Sequence, residues 1–227
     1  MLRVPYTISR VLIAVALWIS AYDRGVCEAS TASEHTYTQE IAKRVDKIVD
    51  PLGITNEAQK SRVQNLITDQ YRTLRELYAA RDAQIDEVKR SPGDPTVAEG
   101  YVKVTRDATS LKLADAHRRF VARLAVELTP EQVDKVKDGM TYGVVGVTYK
   151  RYLELFPSMR EDDKHEILAD LIEARELAMD GGSSEDKHAV FGKYKGRINN
   201  YLTKAGYDMK QAEKDLAEKQ KTASPKP

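Results

Sequence analysis

Two long runs of helical periodicity meet at a single break, Ser91-Pro92-Gly93-Asp94-Pro95. Before it, Val63, Ile67, Gln70, Leu74, Leu77, Arg81, Ile85 and Val88 recur at spacings of three and four. After it, Val97, Val104, Leu111, Ala114, Val121, Leu124 and Leu128 mark a second stripe. Apolar residues so spaced share one face of a helix. A short Pro/Gly turn between two such helices predicts an antiparallel hairpin over about 55–128. Arg81 and Arg118 lie on or beside the stripes. They read as rim arginines whose stems cover the core, against the alternative of a buried functional pair.

The rest of the chain also reads as helix. Ile41, Val45, Ile48 and Val49 give a short amphipathic segment that Pro51 and Gly53 end. Thr55 is the expected N-cap of the first hairpin helix. Leu128-Thr129-Pro130-Glu131-Gln132-Val133 is a complete helix start. Thr129 caps, Pro130 takes the first position, Gln132 closes a capping box, and Leu128 and Val133 form a staple. Residues 137–149 are rich in glycine and tyrosine, a tight connection or a pocket wall, without the spacing of a phosphate loop. Pro157 ends the next helix. Residues 160–180 then hold eight acidic and three basic residues, with Ile167, Leu168, Leu171 and Ile172 inward. Gly181-Gly182 ends that helix. Ser183 or Ser184 caps another, which carries five basic and two acidic residues through Lys204. An acidic helix joined by a tight turn to a basic one predicts an antiparallel pair with opposite charges facing. The fold class is therefore all-α, a helical bundle with a long antiparallel hairpin and a C-terminal group of shorter helices at about 129–208. It forms one domain over residues 30–211, with a charged tail at 212–227.

Residues 1–29 read as a signal peptide. Arg3 and Arg10 precede an apolar run at 11–19, too short to span a bilayer comfortably. Cys27-Glu28-Ala29 offers a cleavage site after Ala29, and an uncleaved anchor is the alternative. The expected location is periplasmic or secreted, with no membrane contact beyond the leader. Cys27 is the one cysteine, so the mature chain has no disulfide and relies on its core. The leader removes three of 36 basic and two of 35 acidic residues, leaving 33 of each. That balance argues against nucleic acid as a partner, since phosphate binding needs a basic surplus.

The basic helix carries the candidate site. Stepping about 100° per residue separates three faces. Val190, Phe191, Tyr194, Ile198, Tyr201 and Leu202 form a core face. Gly192, Gly196, Asn199 and Thr203 form a small-residue face. Lys193, Arg197, Asn200 and Lys204 form a basic face. Each interior glycine costs about 1 kcal/mol relative to alanine, so two on one face predict close approach, by a crossing helix or by a ligand. In the ligand reading the small face floors a groove for a carbohydrate or anionic molecule. Lys193, Arg197 and Asn200 stand beside it, His188 and Tyr194 are on the same helix, and Tyr142, Tyr149 and Tyr207 add stacking surface.

Catalytic patterns are sparse. His35, His117, His165 and His188 show no metal-ligand spacing, so neither a metal nor a cofactor is expected. Asp162, Asp163, His165 and Glu166 sit at an acidic helix start, where carboxylates favour the dipole. Glu173, Glu176 and Asp180 include possible acid/base pairs.

Three segments carry a resemblance: Val136-Lys-Asp-Gly-Met-Thr-Tyr-Gly143, Glu173-Ala-Arg-Glu-Leu-Ala-Met-Asp180, and Lys187-His-Ala-Val-Phe-Gly-Lys-Tyr-Lys-Gly-Arg-Ile-Asn-Asn-Tyr201 followed by Gly206-Tyr207-Asp208. They closely resemble an exported bacterial family catalogued as domain of unknown function 3826. The resemblance implies an all-helical extracytoplasmic domain and brings no catalytic residues with it. A thinner likeness, through Leu128-Thr-Pro-Glu-Gln132, is to periplasmic helical chaperones of the Spy and CpxP type. The resulting expectation is a non-enzymatic extracytoplasmic binding or accessory module for a carbohydrate or anionic ligand. A holdase-type chaperone is the first alternative. A hydrolase or lyase using Glu173, Glu176, His188 or Tyr194 is the second.

Overall fold

The computed structural model describes residues 34–223, and none of these is in a strand. The chain divides into two compact units, 1–44 and 45–227. Of the first, residues 34–44 are described and are helical. The expected signal peptide, with Cys27 and the cleavage after Ala29, lies outside the described residues. All that follows concerns the second unit.

The hairpin forms as its periodicity requires. Helix α1 (Glu57–Arg90) and helix α2 (Pro95–Glu127) pack along each other on either side of the Pro/Gly turn. Asn56, not Thr55, caps α1, its side chain accepting from the Gln59 amide at 3.0 Å. Asn56 sits one residue nearer the first free N–H groups, and its amide oxygen satisfies one of them. Val63, Ile67, Gln70, Leu74 and Ile85 are buried along α1, as its stripe predicts. Arg62 clasps Glu127 with two bonds of 2.8 and 2.9 Å at the open end. Arg81 lies over the Tyr78 ring at 4.6 Å and Arg118 pairs with Asp115 on the surface, both rim positions.

The stripe expected on α2 does not hold along its length. Leu124 and Leu128 are buried, but Val97, Val104 and Leu111 are 55%, 65% and 74% exposed. The physical reason is the register of the two halves. Val97, Val104 and Leu111, seven residues apart, share one face within about 40°, but Leu124 follows Leu111 by 13 positions, which at about 100° per residue puts it roughly 140° around the helix. Thr109, Phe120 and Leu124 are the residues that α2 buries.

The C-terminal group begins with α3 (Pro130–Met140), whose Thr129–Gln132 capping box is closed from both sides. Leu128 and Val133 are both buried, as a staple needs. Tyr142 and Gly143, at φ 60° and 66°, turn the chain into α4 (Val144–Leu155). Helices α5 (Glu161–Met179), α6 (Ser184–Lys204) and α7 (Met209–Ala223) complete the group. Ser183 caps α6 in a second capping box, with Asp186. The core joins Val145, Tyr152 and Leu155 of α4, Ile167, Leu171 and Ala174 of α5, and Phe191, Tyr194, Ile198 and Leu202 of α6. Ile172, expected inward, is 40% exposed. Buried Ile167, Leu171, Ala174 and Ala178 define the inner line of α5, and Ile172 stands about 100° beyond it. Ala212 and Leu216 of α7 reach the same core, so the charged tail starts as a docked helix.

Candidate functional site

The three segments that carry the family resemblance meet in space. Lys137 of α3 bonds Glu176 of α5 at 2.8 Å, and Arg175 of α5 reaches Asp138 of α3 at 2.9 Å and Asp134 at 2.7 Å. Lys187 of α6 donates to the Met140 carbonyl at 2.9 Å and lies over the Tyr71 ring of α1 at 5.5 Å. Tyr142 stacks on His188, with ring centroids 5.9 Å apart. Arg197 of α6 pairs with Asp170 and Glu173 of α5, each at 3.2 Å, which fulfils the charge matching of the two helices. The hairpin joins through His117 of α2, whose imidazole lies 3.4 Å from Glu176 and 3.1 Å from Asp180. Tyr78 of α1 donates to the Asp180 carbonyl at 2.8 Å.

The electrostatics follow from these contacts. Hydrogen bonds to Asp180 and Glu176 raise the His117 pKa to about 9 against the cost of burial. Burial pushes Glu176 up, but bonds from His117 and Lys137 and the charges of Lys137 and Arg175 outweigh it and hold its pKa at about 2. At neutral pH the imidazole is therefore a cation between two carboxylates. A general acid or base works best with a pKa near the operating pH, and neither group has one. The cluster is built as a clamp that ties α2, α3 and α5 together. Among the described residues, no group of three or more His, Cys, Asp or Glu is placed to hold a metal ion.

A second polar knot lies at the start of α5. Asp163 is 1% exposed and accepts from Arg160 at 2.7 and 3.1 Å, Tyr201 at 2.8 Å and Tyr207 at 2.6 Å. The Arg160 bond above all, with that from Tyr207, holds the carboxyl well below the usual carboxylate range. The acidic start of this helix is thus a structural anchor for the segment after α6.

The residues singled out from the sequence fall into separate groups. Tyr142 and His188 stand together at the surface. Lys193 and Asn200 are exposed on the outer side of α6. Tyr194 is buried in the core, beneath Arg197 at 5.7 Å, and Arg197 is committed to α5. Tyr149 packs partly buried against the same core. Of the residues named for acid/base chemistry, Glu173 meets Arg197 and Glu176 meets His117. His188 stacks on Tyr142, away from either pair.

No crossing helix approaches Gly192 and Gly196. A Cβ on either would meet nothing within 4 Å, and both are exposed. The close approach occurs in the turn instead. A Cβ on Gly182 would lie 2.7 Å from the Tyr78 ring, and one on Gly181 would lie 2.9 Å from the Lys187 side chain. Of two further contributors, one was legible in the sequence and one was not. Lys187 falls within the core arc of the helical wheel, and a lysine there signals a buried ion partner. His117 carries no such signal, because its partners stand 59 and 63 residues later in the chain.

Fold and contacts together define the class: an all-helical domain whose two tight turns are tied by buried ions and bear an exposed ring pair. Residues 38–222 match the family described as Protein of unknown function (DUF3826). The match spans most of the chain, and the chain belongs to this family. No curated protein matches it.

Proposed function

We propose that this chain is an exported, non-enzymatic binding or accessory module for a carbohydrate or anionic ligand, with Tyr142 and His188 at the head of its site. One observation carries the reading. Tyr142 is 47% exposed and held at φ 60°, with its ring stacked on His188. A bulky residue in the left-handed region is strained, and strain that survives in a folded protein clusters at functional positions. Here it displays an aromatic face that a sugar ring or a planar anion can cover. From His188 the outer side of α6 continues through Gly192, Gly196 and Asn200, one turn apart, with Lys193 beside them. At 1.5 Å per residue that strip is roughly 18 Å long, enough for several units of a polymer.

Affinity electrophoresis through neutral and acidic polysaccharides tests this. Tyr142→Gly removes the ring while suiting the backbone, and Lys193→Ala removes the cation beside the strip. Loss of retardation in either variant at unchanged melting temperature is the expected result. Full retardation of Tyr142→Gly would remove the ring pair from the site.

A second reading is a holdase-type chaperone. It is favoured by the exposed line of Val97, Tyr101, Val104 and Leu111 on the outer side of α2. Val104→Lys with Leu111→Lys should then abolish suppression of client aggregation. Unchanged suppression by that double variant counts against the reading.

A further inference from the structure

We infer that the seam of the α1–α2 hairpin holds a second binding site, for a carboxylate flanked by hydroxyls such as the acid end of a sugar acid. A cavity of about 170 Å³ opens there between Leu66, Asp69, Gln70 and Thr73 of α1 and Ala116, Arg119, Phe120 and Arg123 of α2. At ~30 Å³ per water it holds roughly six waters, so a ligand enters by one end and not as a whole.

Three features mark it as a site and not a packing gap. First, Gln70 is 5% exposed and its Nε2 is buried without a hydrogen-bond partner. A buried amide donor left unpaired is a standing cost that native structures seldom keep. The terminal torsion of glutamine is soft, so a small turn aims the donor at an acceptor in the cavity. Secondly, Arg119 is already held by Asp115, whereas Arg123 has no ion-pair or hydrogen-bond partner among the described residues. A guanidinium on the cavity wall suits a planar carboxylate. Thirdly, Asp69 is likewise without a partner among the described residues and stands on the opposite wall. An ionised carboxylate only accepts hydrogen bonds, so it selects hydroxyl groups on the ligand and repels a second anion. Phe120, 4% exposed, gives the cavity an apolar wall for carbon-bound hydrogens. One unpaired cation beside the already paired Arg119, one carboxylate, the Thr73 hydroxyl and one neutral amide donor around a small apolar wall match a hydroxylated monocarboxylate. They match a phosphate or sulfate poorly, because Asp69 opposes a multiply charged anion.

This site shares no residue with the Tyr142–His188 strip and stands or falls independently of it. Isothermal titration of the full chain with D-glucuronate, D-glucose and acetate tests the assignment. Glucuronate should bind with Kd of about 1 mM, at least tenfold more tightly than glucose or acetate. Arg123→Gln, on the surface, should weaken glucuronate at least tenfold. Gln70→Leu should do the same while leaving the melting temperature equal or higher, because it removes an unpaired buried group. Equal binding of glucuronate and glucose, no binding at ten times the expected Kd, or wild-type affinity in Arg123→Gln overturns the proposal.

Discussion

The Tyr78 ring closes directly over Gly182: a Cβ at that glycine would lie 2.7 Å from the ring, whose hydroxyl donates to the Asp180 carbonyl at 2.8 Å. One contact thereby fixes the α5–α6 turn against the hairpin. Gly182→Ala must displace the ring, at a cost of about 1–3 kcal/mol. Tyr78→Phe keeps the ring and loses the bond, at about 1 kcal/mol. Urea unfolding of both variants and of the double variant measures this. The ring and the glycine act on one contact, so the double variant should fall short of the sum. Wild-type stability of Gly182→Ala would show that the ring does not hold the turn.

Gly192 and Gly196 behave in the opposite way. Neither has a neighbour within 4 Å of a new Cβ, and neither is among the glycines at positive φ. Alanine at either should stabilise the chain by about 1 kcal/mol through helix propensity alone. A helix that keeps two avoidable costs on an open face is consistent with a surface that a ligand covers. If the strip from His188 to Asn200 binds polymer, the double alanine variant melts higher and binds less. Higher melting with unchanged binding would assign the glycines no part in it.

Much of this architecture is legible from residues alone, for physical reasons that differ by element. The capping box at Thr129 and Gln132 and the one opened by Ser183 are local chemistry, and local chemistry is written in adjacent residues. The pairing of α5 with α6 follows from opposite charge across a short turn, and Arg197 with Asp170 realises it. The outer side of α2 departs from the expected stripe because Val97, Val104 and Leu111 share a face of their own, about 140–180° around the helix from Leu124. The candidate site was legible in its parts but not in its grouping. Tyr142 with His188 joins two turns 46 residues apart, and His117 with Glu176 joins two helices 59 apart. No helical wheel relates such pairs.

Asp163 anchors the segment after α6 to the start of α5 through Tyr201 and Tyr207. Its folded pKa is depressed from 3.8, so it contributes stability above that value and loses it as pH falls through the folded value. Asp163→Asn leaves Arg160 without its partner charge and four bonds weakened or inverted. Arg160 is exposed, so the cost is that of weakening hydrogen bonds to a buried charged group, about 1.5–3 kcal/mol. Tyr207→Phe should cost about 1–2 kcal/mol. Thermal melts at pH 7 give both. A melting temperature for Asp163→Asn within a degree of wild type would show that the buried carboxylate is not the anchor.

His117 sets the alkaline limit of the fold. Its folded pKa is raised from 6.5 to about 9, so its stabilising contribution is complete below 6.5 and disappears as pH rises through about 9. Glu176 does the reverse: lowered from 4.5 to about 2, it contributes fully above 4.5 and loses that contribution as pH falls toward 2. Both shifts include the same His117–Glu176 contact, so they describe one interaction from two ends and are not summed. The clamp is thus complete from about pH 4.5 to 6.5. On the alkaline side the loss amounts to about 2–3 kcal/mol, taking 1.36 kcal/mol per pKa unit and allowing for partial exposure of the ring. Melting curves from pH 4 to 10 should show a plateau in the acid half and a decline centred between pH 7 and 9. His117→Gln should melt lower on the plateau and lose the decline, meeting the wild type near pH 10. Should the variant keep the same alkaline slope as the wild type, the decline belongs to other groups and the imidazole is not the clamp.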